Sequence, residues 1–143
     1  MTARLLAVAL AACVSGAAAH AGDVTVTVSG VVPNGTAVSV ALCAGSLDPS
    51  ACAIGARQAG AAPTLRFTFG NVPPGRYAVA AFQDLNGSGR MERSGLGLPL
   101  NPFAFSNDAG RARRPSFEAA AVSVGEGGRA FQLRLRGLKD GDQ

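Results

Sequence analysis

Asn71-Val-Pro-Pro-Gly-Arg-Tyr-Ala-Val-Ala-Ala-Phe-Gln-Asp-Leu-Asn-Gly-Ser-Gly-Arg-Met-Glu92 reads as a turn, then a strand, then an acidic loop. Pro73 and Pro74 restrict φ, and Gly75 permits a sharp reversal. Arg76 to Gln83 is a short apolar run with one β-branched residue and two aromatics between turn residues, the pattern of a buried strand. From Asp84 to Glu92, oxygen-bearing side chains recur at alternate positions between glycines.

Strand signals continue on both sides. Val24, Val26 and Val28 alternate with Thr25, Thr27 and Ser29, and Val38, Val40 and Leu42 alternate within Ala37–Cys43. These two runs are expected to form a hairpin or to neighbour each other across a sheet. Leu65, Phe67 and Phe69 share a face, and the Pro73-Pro74-Gly75 turn joins that strand to the Tyr77 strand. Phe131, Leu133 and Leu135 point one way within Arg129–Arg136, opposite Gln132, Arg134 and Arg136. Phe117–Val124 is a weaker strand candidate, and Gly60-Ala61-Ala62-Pro63 carries little signal. The segment Ser94–Pro115 shows no period; a connection of that length is usually functional, clamped down or mobile. No segment has a helical period. The expectation is all-β: two antiparallel sheets of about six or seven strands in total, packed face to face as a sandwich over residues 22–143.

Residues 1–21 are expected to be removed. Arg4 precedes an apolar Leu5–Ala12 core, and Ala19-His20-Ala21 is a small-x-small cleavage site, together a secretory signal peptide. The alternative is a lipobox at Leu10-Ala11-Ala12-Cys13, which anchors the chain by a lipid on Cys13. Cleavage after Ala21 makes the protein periplasmic or secreted and takes away the one histidine, His20. The remaining pair, Cys43 and Cys52, reads as a disulfide in an oxidising compartment. A pair of redox or metal-binding thiols is the rival, against which the spacing counts because it matches neither C-x-x-C nor a zinc site. The formal net charge is +4, one unit of which leaves with Arg4. So small a surplus argues against a nucleic-acid partner.

In order and spacing, Asn71–Gly89, Gly95-Leu-Gly-Leu-Pro99, Phe105-Ser-Asn-Asp108 and Pro115-Ser-Phe-Glu-Ala-Ala120 resemble the bacterial Domain of Unknown Function 2141 family. The likeness runs from Val24 to about Leu135. It implies an exported single-domain β-sandwich and no particular activity. Relatives usually read D-x-N-x-N-G-x-x-D in the acidic loop, where this chain has Ser88 and Glu92 in place of the third Asn and the final Asp. Arg111-Ala112-Arg113-Arg114 also departs from the small and aromatic residues usual there.

Three constellations could carry chemistry. In the acidic loop Asp84, Asn86 and Ser88 hold the first, third and fifth places of a calcium loop, Gly89 the sixth, the Arg90 carbonyl the seventh and Glu92 the ninth. Gly95 stands at the twelfth, where a bidentate Glu is usual, and Arg90 and Arg93 offset the two carboxylates. Asp108 or Asn107 folding in from the long loop would strengthen the set. The structural reading is a turn whose Asp84 and Asn86 side chains bond local N–H groups. In the long loop, Phe103 and Phe105, followed by Asn107 and Asp108, form either a ligand platform or aromatic plugs for one end of the sandwich. Arg111, Arg113 and Arg114 form either an anion site, for phosphate or an acidic polysaccharide, or a solvated basic loop.

Catalysis has little to draw on. Without histidine the mature chain assembles no Ser-His-Asp or Cys-His arrangement. A carboxylate pair among Asp84, Glu92, Asp108 and Glu118 is what a hydrolase would need. The absence of tryptophan removes the commonest sugar-stacking surface of a carbohydrate-binding module. The functional expectation is an exported, non-catalytic binding or structural module of the cell envelope, with no cofactor unless calcium.

Overall fold

The computed structural model describes residues 21–95, 100–111 and 113–137; all of the proposed signal peptide but its last residue, Cys13 included, lies outside these. Eight strands and one helix are present among them: β1 (Gly22–Ser29), β2 (Ala37–Cys43), β3 (Ile54–Ala59), β4 (Leu65–Val72), β5 (Gly75–Gln83), β6 (Phe103–Phe105), α1 (Phe117–Ala120), β7 (Val122–Val124) and β8 (Arg129–Arg134). They form two sheets, one of three strands in the order β4-β1-β8 and one of five, β3-β2-β5-β6 with β7 also on β5.

The inner faces hold the alternating apolar residues. Val24, Val26 and Val28 of β1 meet Val38, Val40 and Leu42 of β2, with Phe67, Val79, Phe131 and Leu133 between them. Each such side chain contributes about 1.5–3 kcal/mol when fully buried. The polar residues between them emerge on the outer faces.

Several details depart from the expectation. β1 and β2 are neither a hairpin nor sheet neighbours: they lie in opposite sheets. The Pro73-Pro74-Gly75 turn joins β4 to β5 as expected, and in doing so crosses from one sheet to the other. The sheets are not wholly antiparallel, because β8 runs parallel to β1 from Val24↔Arg129 to Ser29↔Arg134. The weak Phe117–Val124 candidate divides into α1 and β7. Ser116 starts the helix by accepting from the Ala119 N–H, an N-cap that satisfies one orphan donor.

The described part of the Ser94–Pro115 connection is clamped down. It carries β6, which pairs with Ala80–Phe82 of β5. Phe103 also exchanges two backbone hydrogen bonds with Arg136, tying the five-stranded sheet to the chain just beyond β8. On the outer face of β2, β5 and β6 a second apolar cluster forms from Cys43, Ala78, Phe103, Phe105, Ala109 and Ala120. The five-stranded sheet is therefore covered on its second face over β2, β5 and β6, while the edge strand β3 stays open.

Close approach of backbone segments constrains the parallel pair. Gly128, at φ +73, lies so near β1 that a Cβ there would fall 1.9 Å from the Asp23 carbonyl oxygen. Gly22 faces it with equally little room. Gly128→Ala is expected to destabilise the protein by about 2–4 kcal/mol, through left-handed strain and displacement of β8. Urea unfolding followed by far-UV circular dichroism measures the loss.

Candidate functional site

β5 delivers its chain into the acidic corner. Its last residue, Gln83, is fully buried at an inward position. The Gln83 side-chain oxygen accepts from the Val32 N–H at 2.9 Å, while its amide donates to the Val32 carbonyl at 2.8 Å and to Thr36 Oγ1 at 2.9 Å. This one amide closes the upper end of the sandwich and fixes the connection between β1 and β2. The next residue, Asp84, is 4% exposed, and its N–H donates to the Ala37 carbonyl.

The Asp84 carboxylate gathers the loop that follows. Oδ1 accepts from the Ser88 N–H at 3.0 Å and Oδ2 from the Gly89 N–H at 2.6 Å. Gly87 and Gly89 both have positive φ, which permits the tight curl. Arg57, half exposed on β3, sets a guanidinium nitrogen 3.8 Å from Oδ2. Asn86 accepts from the Ser88 N–H and donates its amide to Glu92 Oε2. Ser88 Oγ donates to the Arg90 carbonyl. The five residues singled out for calcium are thus brought together, bonded to one another and to local amides. Among the described residues no group of three or more His, Cys, Asp and Glu is placed to hold a metal ion.

Asn107 and Asp108 do not join that corner. They sit in a 3-10 turn, Ser106–Asp108, after β6. Asn107 is left-handed at φ 58, a conformation asparagine tolerates better than most residues. Its side-chain amide reaches the Ala119 and Ala121 carbonyls, each at 3.3 Å. Ser106 Oγ accepts from the Val79 N–H at 2.9 Å and donates to the Ala120 carbonyl at 2.6 Å. Val79 lies between the stretches of β5 that pair with β7 and with β6. The serine hydroxyl fills the gap between those two strands.

Phe103 and Phe105 are 2% and 3% exposed, their rings edge to face with centroids 5.8 Å apart. Buried phenylalanines with no polar handle offer no surface to a ligand. The arginine trio is separated. Arg111 lies over the Phe103 ring and donates to the Phe103 and Arg134 carbonyls, crosslinking β6 to β8. Arg113 and Arg114 are exposed. Cys43 and Cys52 form a disulfide at the ends of the paired strands β2 and β3.

A family model described as "Uncharacterized protein conserved in bacteria (DUF2141)" matches residues 26–132. The chain belongs to this family. No curated protein and no solved structure matches it. Three stretches that carried the resemblance have clear physical roles in this DUF2141 chain. In Asn71–Tyr77 the Tyr77 hydroxyl donates back to the Pro73 carbonyl at 2.7 Å, four residues upstream, as in the tyrosine corners of other sandwiches. Phe105–Asp108 clamps β5 from its edge. Pro115–Ala120 supplies the capped helix that Ser106 and Asn107 hold.

Sequence reasoning missed Gln83 and the strand-bridging role of Ser106. A polar residue at the inward phase of an apolar strand was the available signal for Gln83. Ser106→Ala is expected to cost about 1–3 kcal/mol, because the buried Val79 N–H and Ala120 carbonyl lose their partner. Hydrogen exchange should show faster exchange at Val79 and its β5 neighbours than in the wild type.

Proposed function

We propose that the protein is an exported, non-catalytic β-sandwich serving as a binding or structural module of the bacterial cell envelope. The observation that carries this reading is the Cys43–Cys52 disulfide, since such bonds persist in oxidising compartments and are rare in the cytosol. Closing a loop of this size adds about 2–3 kcal/mol. Among the described residues no helix is long and apolar enough to cross a membrane.

The disposition of the acids supports a role without catalysis. Glu118 is exposed and paired with Arg76 at 3.2 Å. Asp108 is exposed, Glu92 is engaged by Asn86, and the buried Asp84 spends its oxygens on loop amides. A hydrolytic pair needs two carboxyl groups flanking a substrate bond, one of them free to carry a proton. These four are committed elsewhere or open to water.

The Asp84 corner is read as a closed hydrogen-bonded turn, with calcium as the alternative. Calcium takes six to eight oxygens. Here Glu92 and Asn86 are turned onto each other, and Asp84 already accepts two N–H groups. Asp84→Asn is expected to destabilise by about 1.5–3 kcal/mol with or without millimolar calcium, by weakening charge-assisted bonds. Differential scanning calorimetry tests this: a calcium-dependent rise in Tm in the wild type, absent from the variant, would establish the ion site instead.

Export itself is tested by intact mass spectrometry of protein recovered from cell fractions. The expected species begins at Gly22 and carries the disulfide. A lipid-modified chain beginning at Cys13 would make it a lipoprotein, and an unprocessed cytosolic chain with free thiols would defeat the reading.

A further inference from the structure

The arginines of the strands divide into two groups. Arg57, Arg76 and Arg129 are held by carboxylates, carbonyls or aromatic rings. Arg66 and Arg134 are exposed, and their side chains make no hydrogen bond, ion pair or ring contact among the described residues. The two lie on one surface, the outer face of the three-stranded sheet. Arg66 stands opposite Thr27 on β4, and Arg134 stands opposite Ser29 on β8. Strand spacing and rise place them roughly 12 Å apart, one on either side of β1.

The ground between them is polar and level. Gln132 lies beside Thr27, and Thr25 and Thr68 form the next row. None of these four side chains is bonded within the described chain. The acid of this face is Asp23, four residues along β1 from Thr27, where it accepts from the Asn71 N–H. The other sheet carries the second apolar cluster over β2, β5 and β6, so the three-stranded sheet offers the sheet face that no apolar cluster covers.

We propose that this face docks an acidic polysaccharide, with Arg66 and Arg134 pairing with carboxylates on separate sugars and the threonine and glutamine groups bonding sugar hydroxyls. The inference rests on the envelope reading and deepens it by naming the partner. Charge complementarity carries it: two uncommitted guanidiniums flank a row of unbonded donors and acceptors. The face suits other polyanions poorly. It presents no aromatic ring on which single-stranded bases could stack. Three strands side by side are broader than the helix or two-stranded ribbon that the DNA major groove admits. It also lacks the apolar residues that enter a lipid surface; the large exposed ones among the described residues, Val32, Leu85 and Leu100, belong to connecting loops.

The test uses the full chain and fluorescent oligo-alginate, a polyuronate, in a low-salt titration. Binding that weakens as salt is raised is expected. Dextran, a neutral glucan, should not bind. The double variant Arg66→Gln with Arg134→Gln should raise Kd roughly tenfold, about 1.4 kcal/mol shared between two exposed ion pairs. Its Tm should be unchanged, since neither side chain supports the fold. Arg113→Gln with Arg114→Gln should leave Kd within about twofold, a shift of under half a kcal/mol. No oligo-alginate binding, equal binding by the Arg66 and Arg134 variant, or loss confined to the Arg113 and Arg114 variant would each overturn the proposal. So would tighter binding to duplex DNA or to phosphatidylglycerol vesicles than to oligo-alginate. Failure in a chain that mass spectrometry shows processed and disulfide-bonded removes the partner and leaves export standing.

Discussion

β5 must be hydrogen-bonded on both edges, and no single neighbour is long enough to do it on one of them. β2 serves the first edge from Ala78 to Gln83. The second is shared: β7 pairs along Gly75–Tyr77, β6 along Ala80–Phe82, and Ser106 takes the Val79 N–H between them. A buried amide without a partner costs as much as a lost hydrogen bond. The irregular excursion after the acidic loop is therefore constrained to return a short strand, a serine hydroxyl and a capped helix to one edge.

The same requirement explains the polar residues that lie inside. Gln83 stands at the end of a strand where three backbone or hydroxyl groups from the β1–β2 connection would otherwise face an apolar interior. Its amide offers a donor pair and an acceptor in one plane, which matches them. Asp84 repeats the arrangement one residue on, where a carboxylate suits a cluster of N–H donors. Inward burial and outward loop are joined by two consecutive side chains of opposite hydrogen-bonding character.

Legibility in the sequence followed exposure. β1, β4 and β8 each have one buried face and one more open one, and β2 is only half covered on its second, so their alternation was plain. β5 was readable as an apolar run between turns, and two cysteines left in an expected oxidising setting pointed to the disulfide. β3 was not readable, because an edge strand written Ile-Gly-Ala-Arg-Gln-Ala buries little on either side. β6 was hidden for the opposite reason: Phe103, Ala104 and Phe105 are all buried, which removes the period. α1 spans four residues, too few to show a helical repeat. At the corner, membership of the loop was visible, but the commitment of Asp84 to amides was not. The separation of Arg111 from Arg113 and Arg114 depended on a ring and two carbonyls distant in sequence.

Covering most of the second face of one sheet has a consequence for recognition. A sandwich ordinarily offers two outer faces and its end loops to a partner. Here the second apolar cluster, with the disulfide loop and α1 beside it, occupies one of those faces. Nine of the 143 residues are acidic, and of the described ones Asp84 and Glu118 are drawn into ion pairs while Glu92 is bonded to Asn86. Of the described arginines left outside those pairs, Arg66 and Arg134 stand on the open face of the three-stranded sheet, and Arg113 and Arg114 on the long connection. The packed outer face thus leaves sheet-borne recognition to the three-stranded side, where polar side chains and two arginines meet solvent.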